Sequence, residues 1–375
     1  MKRLVFFLLS VFCICSCIND ENVSVTGLGQ STSHPNAVVV NVSGISLFLD
    51  TEWYQDGVSM GSMLKLSKGC YMAVPSQYAE SVTLVVKGLF GRKLTFEVDL
   101  TDYIDLQAHR GGAGLMPENT LEAMIAAVDM GVNTLELDLV LSADGQVVVS
   151  HDSYFHSRYS IRPDSSLVMK EEPKEWLYKL TYEDIIKYDV GSRACDVWPD
   201  KKCFPAVKPL LSELIDSVES YTESNGLSPM RYNIEVKSKA GSGEGVDWAD
   251  YTVLSDACID VLLSKQLGDR LVVQCFDTRA LNYMHSEHPE VKYSYLVGAE
   301  VDDVPAALSM LDFTPTWLSP HYSITDESLV SLCREKGMRI VPWTVDNPED
   351  IKKMIALDVD AIISNYPDRL IQQIR

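Results

Sequence analysis

From Ile104 onward the chain repeats one pattern: a short apolar strand, then an amphipathic stretch. The strand candidates are 104–108, 134–139, 232–236, 271–274, 293–296, 317–319, 339–343 and 361–363. Between them lie segments such as 210–221, 327–336 and 348–357, whose apolar residues recur at helical spacing. Strands joined through helices run parallel, and a parallel sheet needs both faces covered. Eight such units in about 270 residues predict an α/β fold, a TIM (β/α)8 barrel occupying 102–375.

The residues before the barrel follow a different rule. Short strands are predicted at 38–42, 46–49, 82–86 and 94–98, punctuated by Gly, Asn and Pro and without helical periodicity. They predict a small all-β, sandwich-like N-terminal domain over 37–101, with no chemical constellation of its own. Residues 18–36 are rich in Ser, Asn, Thr and Gly and read as a tether. Ahead of them, Lys2-Arg3 precedes an apolar run from Leu4 to Cys15 that is short for a membrane span and reads as a signal peptide. Ile14-Cys15-Ser16-Cys17 has the form of a bacterial lipobox, so 1–17 is expected to be a lipoprotein signal with Cys17 as the lipidated residue. That places the chain in the bacterial cell envelope, anchored to the membrane on its periplasmic side or at the cell surface. Ordinary secretion is the alternative. Each buried acyl CH₂ contributes about 0.8 kcal/mol to anchoring.

The formal net charge of −21 argues against nucleic acid as a partner and against adsorption to anionic membranes. It also repels anionic substrates, so a site that takes one must create its own positive field. Leaving aside Cys13, Cys15 and Cys17, six of the nine cysteines remain, and Cys195 with Cys203 is the best-placed pair for a disulfide. No cysteine or histidine spacing suggests zinc.

The chemistry concentrates between His109 and Asp152. Residues 133–141 alternate, with Thr134, Glu136 and Asp138 on one face and Leu135, Leu137 and Leu139 on the other. Val147–Val149 forms a returning strand. Asp144-Gly145 between them predicts a two-residue type I′ turn, a register that sets His151 opposite Asp138 on one side of the hairpin. An isolated Glu-x-Asp is usually the wet face of an antiparallel strand. Here His109-Arg110-Gly111 ends an independent strand and Pro117-Glu118-Asn119-Thr120 opens a helix ending near Gly131, so two histidines converge on two carboxylates.

In this order H-R-G, P-E-N-T, E-x-D, D-G and H-D resemble the signature of the glycerophosphodiester phosphodiesterase family. The resemblance runs from about Ile104 to the C-terminus. Asn233-Ile234-Glu235-Val236-Lys237 is similar to the family's I-E-x-K strand. Gln274-Cys275-Phe276-Asp277 resembles its S-F-D strand end, with Cys275 where serine is commoner. Val341 to Asp346 resembles its W-T-V-N segment, and Asp358 to Pro367 its G-V-D-G-I-I-T-D-Y-P ending. Asp358 and Ala361 replace two glycines there, and Ser364-Asn365 replaces Thr-Asp, none of them expected to bear on a catalytic residue. The resemblance implies a TIM barrel, cleavage of glycerophosphodiesters to sn-glycerol 3-phosphate and an alcohol, and an insertion, 157–209, over the substrate pocket.

Barrel active sites lie at the C-terminal ends of the strands. Glu136, Asp138 and Glu235 reach that end and offer hard oxygen ligands for one divalent cation, Ca²⁺ or Mg²⁺. His109 and His151 are the expected acid-base pair, because imidazole titrates near neutrality. Sequence does not decide which is acid and which is base. Arg110, Glu118, Lys237 and Trp343 are the expected substrate-binding residues. Each has a plainer reading: a surface arginine, a helix-start carboxylate, half of an ion pair with Glu235, and rim packing. The expected partner is a small phosphodiester. Two other functions stay open, a phospholipase-D-like activity on intact lipid and a catalytically silent binding lipoprotein.

Overall fold

A computed structural model describes residues 23–26, 38–42, 50–55, 57–74, 81–88, 93–99 and 104–374. The signal segment, Cys17 and the strand expected at 46–49 lie outside the described residues. Among those described, no helix is long and apolar enough to cross a membrane. The chain divides into two units, with the boundary between Tyr103 and Ile104.

Among the described residues the first unit holds eight strands: β1 (Val23–Thr26), β2 (Val38–Val42), β3 (Asp50–Gln55), β4 (Val58–Gly61), β5 (Leu64–Ser67), β6 (Cys70–Ala73), β7 (Ser81–Lys87) and β8 (Lys93–Asp99). They form two antiparallel sheets, ordered β1-β2-β6-β5 and β4-β3-β7-β8. Alternate residues of both sheets, among them Val38, Val40 and Val42 from one and Trp53, Leu84 and Val86 from the other, share one buried cluster. The expected tether gives way at β1, where Val23 pairs with Val42 and Thr26 with Val39. The alternating Val-Ser-Val-Thr has the β-branched residues a strand favours, and that local signal outweighs the polar composition around it.

The second unit is a nearly closed parallel barrel. Its strands are β9 (Asp105–Ala108), β10 (Thr134–Leu141), β12 (Arg231–Val236), β13 (Leu271–Cys275), β14 (Lys292–Val297), β15 (Trp317–Pro320), β16 (Arg339–Ile340) and β17 (Ala361–Ser364). They run in the order β16-β15-β14-β13-β12-β10-β9-β17. Backbone hydrogen bonds Asp360 N to Ile340 O (3.1 Å) and Ile363 N to Pro342 O (3.1 Å) link the last two strands. The interstrand helices pack their apolar faces on the outward side chains. Leu135, Leu137 and Leu139 of β10, for example, join Met124 and Ala127 of the helix Leu121–Met130 in the main core. Thr120 caps that helix by accepting the Ala123 N–H, and Gly131 at φ +87° ends it. With the leucines facing outward, Glu136 and Asp138 face into the barrel, and both are buried.

The hairpin closes in a different register from the expected one. β11 (Val147–Val149) pairs Leu139 with Val149, Val140 with Val148 and Leu141 with Val147. Asp138 therefore lies opposite Ser150, whose N–H donates to the Asp138 carbonyl at 2.8 Å. The loop has three residues, 143–145. Gly145 N donates to Ser142 O, and Gly145 alone in the loop has positive φ, +74°. A type I′ turn needs positive φ at both central residues. Asp144 is instead held by its side chain, accepting the Ser142 hydroxyl (2.6 Å) and the Tyr182 N–H (3.0 Å). The result is a three-residue loop that ends on a left-handed glycine.

The expected disulfide is absent: Cys195 and Cys203 are both free thiols, the first buried and the second exposed. Cys275, where serine is the commoner residue, donates its Sγ–H to Val236 O and accepts the Asp277 N–H, bonding as a hydroxyl would.

Candidate active site

At the end of β9 the chain turns sharply through His109-Arg110-Gly111. Arg110 takes a left-handed conformation (φ +52°) that non-glycine residues seldom adopt. The turn aims its backbone N–H at Glu136 Oε2 (2.9 Å). Its guanidinium meanwhile reaches Glu118 (2.9 Å) and Asp138 (3.3 Å). Gly111 permits the fold-back, since a Cβ there would meet the Ala123 backbone at 2.8 Å.

Parallel pairing sets Asp138 of β10 level with Glu235 of β12. Oxygens of Glu136, Asp138 and Glu235 all lie within 4.8 Å of one another, and all three residues are buried. Lys237 bonds Glu235 (2.7 Å) and lies 3.6 Å from Asp138. Together with Glu118, four carboxylates face two cations, Arg110 and Lys237, leaving a negative excess in a buried place. Burial and the neighbouring Asp138 charge push the Glu136 carboxyl well above its ordinary range. Burial also raises Glu235, against the pull of Lys237. Burial acts to raise Asp138 too, but Lys237, His151 and Arg110 hold it below the usual carboxylate range. Asp138 Oδ1 is buried without a hydrogen-bond donor. Clustered carboxylates with an orphaned oxygen and a charge deficit are what a hard divalent cation satisfies.

His109 sits beside this cluster, its Nε2 3.9 Å from Glu136 Oε2. Its Nδ1 lies 2.6 Å from Asn365 Oδ1. Asn365 is itself fixed: its Nδ2 donates to Asp346 Oδ2 (2.8 Å) and its backbone N–H to Asp346 Oδ1 (2.8 Å). The amide oxygen must then face the imidazole, so Nδ1 carries the hydrogen and Nε2 a lone pair. Burial, followed by the Arg110 charge, pushes the imidazole down to about 3, so the ring is neutral at pH 7. The Ser364-Asn365 departure therefore does bear on an expected catalytic residue. The sequence hides this because the contact spans the barrel closure.

His151 comes from a different segment and lies beside Glu235 and Lys237. β11 ends at Val149, and a bend carries His151 and Asp152 forward, with Nδ1 of the histidine 3.4 Å from Asp152 Oδ1. The bend is tied by Ser150, whose hydroxyl donates to Asp152 O (2.7 Å) and accepts from Lys208 Nζ (2.8 Å). His151, Glu235 and Lys237 line one cavity of about 420 Å³. So the histidine reaches the mouth by this bend, not by opposing Asp138.

Several functional neighbours are not evident from the sequence. Asn119 donates to Asp138 Oδ2 (2.8 Å), and Gln274 donates to Glu136 Oε1 (2.9 Å). Both lie inside motifs already noted, so position in the motif is a usable signal. Lys208 has none. Lys208 is buried, its ammonium pushed down to about 8 by desolvation. Trp343 donates its indole N–H to Ser319 O (2.7 Å) and packs edge-on against Phe276 and His321. It also joins a small inner cluster with Val272 and Trp317, which is the packing expected of a rim tryptophan. His321 caps a turn through the Ser323 N–H.

The strand order and the carboxylates at the strand ends define a (β/α)8-barrel enzyme. Residues 109–369 match the glycerophosphoryl diester phosphodiesterase family, and the chain belongs to that family of phosphoric diester hydrolases. It is 27% identical over 269 residues to a glycerophosphodiester phosphodiesterase of Caldanaerobacter subterraneus subsp. tengcongensis, covering 72% of this chain and 96% of that one. A Bacillus subtilis glycerophosphodiester phosphodiesterase is 26% identical over 273 residues, covering 71% of this chain and 85% of its own. Among solved structures, an Oleispira antarctica phosphodiesterase in complex with the product sn-glycerol-3-phosphate is 27% identical, with a TM-score of 0.57, covering 72% of this chain and 95% of that one.

Proposed function

We propose that this protein hydrolyses glycerophosphodiesters to sn-glycerol 3-phosphate and an alcohol. The observation that carries the reading is the carboxylate triad with its orphaned Asp138 Oδ1, His109 lying 3.9 Å from Glu136 and His151 sharing a cavity with Glu235. Glu136, Asp138 and Glu235 would hold one divalent cation, Ca²⁺ or Mg²⁺. When bound, such a cation neutralises charge on a non-bridging phosphoryl oxygen. Arg110 and Lys237, at the same mouth, add positive charge for the phosphate.

His109 is the base. Its Nδ1–H is committed to Asn365, and its Nε2 lone pair takes a proton from the attacking water. His151 is the acid and protonates the alkoxide as the P–O bond to the alcohol breaks. Asp152 at 3.4 Å orients it. Glycerol 3-phosphate release from glycerophosphocholine, with and without EDTA, tests the scheme. Loss of turnover in EDTA, restored by Ca²⁺ or Mg²⁺, is expected. Full turnover in EDTA, or in His151→Ala, would overturn it. No turnover on any headgroup diester would favour a binding lipoprotein.

We further propose that residues 1–17 are a lipoprotein signal and that Cys17 anchors the enzyme in the bacterial envelope. There, deacylated phospholipid headgroups would be its substrates. Detergent-phase partition of the protein, lost in Cys17→Ala, tests the anchor.

A further inference from the structure

The cavity beside His151 has a composition that the chain as a whole does not. Against a net charge of −21, its wall carries three lysines, Lys174, Lys237 and Lys239. Its acidic residues, Asp152 and Glu235, are already paired with His151 and Lys237. Lys174 and Lys239 have no ion-pair partner among the described residues and are exposed to solvent. Aromatic rings complete the wall. Trp176 meets Tyr154 edge-on at 5.3 Å and Trp248 at 5.6 Å. Trp248 donates its indole N–H to the Lys239 carbonyl, tying this ring to the lysine's backbone.

An aromatic wall of this kind is the usual seat of a quaternary ammonium ion. Here the seat is taken. Lys174 Nζ lies 3.9 Å from the centroid of Tyr154 and 5.0 Å from that of Trp176. A second cation would meet that ammonium, and no uncommitted carboxylate on the wall would offset the repulsion. An alcohol with a negative group meets the reverse: two lysines without ion-pair partners, and the Trp248 ring for an apolar polyol face.

We infer that this cavity is the subsite for the leaving alcohol, and that it takes an anionic polyol in preference to choline. The inference rests on the proposed hydrolase reading, because His151, the proton donor to the leaving alkoxide, lies on the same wall. Lys174 and Lys239 are its specificity-determining residues. Lys174 and Trp176 come from the insertion, Lys239 and Trp248 from the loop after β12, so two separate segments build the subsite.

The test compares kcat/KM for glycerophosphoinositol 4-phosphate, glycerophosphoinositol and glycerophosphocholine on the full chain with its divalent cation. The expected order is the one just given, with the first about 10-fold or more above the last, and a ratio that shrinks with added salt. Lys174→Gln and Lys239→Gln should each cut that ratio about 5-fold, mainly through KM for the anionic substrate. Lys174→Gln should also improve glycerophosphocholine, because it vacates the two ring faces. Equal or better turnover of glycerophosphocholine by the wild type would overturn the inference, as would a ratio unmoved by Lys174→Gln. Hydrolysis of none of the three would instead break the hydrolase reading.

Discussion

The surroundings of the two histidines are built on opposite plans. His109 is nearly enclosed, with 14% of its side chain exposed, and one ring nitrogen is locked through Asn365 to Asp346. His151 is more open at 31%, on a bend after a strand, with a single carboxylate 3.4 Å away. A base that must stay neutral gains from burial and a fixed tautomer. A group that must pick up a proton from solvent in every cycle gains from an open side. On the proposed mechanism, that difference in environment suits His109 to the base and His151 to the acid.

Swapping the leaving group is the strongest way to break this comparison. His109→Gln and His151→Gln should each lower kcat on a natural alkyl diester by about 10³-fold. On an aryl diester, whose leaving group needs no proton, the His151 variant should recover most of its activity and the His109 variant none. Recovery by the His109 variant would reverse the assignment.

The surroundings of His151 also include the buried Lys208, whose ammonium is pushed down to about 8 by desolvation, below its ordinary 10.5. The folded state gives up this proton before the unfolded state does, so stability rises with pH between those values and the penalty is full below 8. Lys208→Met removes the penalty. Its stability advantage over wild type in urea unfolding should shrink by about 3 kcal/mol from pH 7 to 10.5. A pH-independent difference would mean that the ammonium is satisfied where it lies.

Beside His109 the informative variant is Asn365→Asp. It puts a negative charge against Nδ1, so the imidazole should titrate higher and the acid limb of kcat/KM should move upward by about one pH unit. Asn365→Leu should instead lower kcat about 10-fold without that shift, by releasing the tautomer. The smallest effect belongs to the hairpin tip. A Cβ on Gly145 meets no atom, so Gly145→Ala should cost only the left-handed strain, about 1 kcal/mol in thermal or urea unfolding, and leave kcat intact. A larger loss of activity would mean that the turn, more than the Ser150 bend, positions His151.

The barrel is legible in the sequence because each of its eight strands carries a run of apolar residues followed by helical periodicity, and these signals are local. The triad is legible for the same reason: alternation on β10 separates Glu136 and Asp138 from the three leucines. Finer features are not. The dipeptide Asp144-Gly145 alone favours a two-residue turn, while Ser142 and Tyr182, three-dimensional neighbours of the Asp144 carboxylate, select the longer loop. Asn365 gives no sign of its role because 256 positions separate it from His109, and only barrel closure brings them together. Lys208 has no periodic or motif signature at all. In the first unit, β3 to β6 are largely illegible, since edge strands such as β4 and β5 are four residues long and exposed throughout, too short for their alternation to stand out.

The short strand β11 belongs to two cores at once. Val147 and Val149 pack into the barrel's main core, while Val148 packs with Tyr159, Leu177 and Ile185 of the insertion. Further along, Ala143 N donates to Leu180 O and Val149 N to Pro209 O, so both ends of the hairpin grip the insertion. A roof riveted to its own supporting wall shares that wall's stability, so whatever loosens the hairpin loosens the insertion with it.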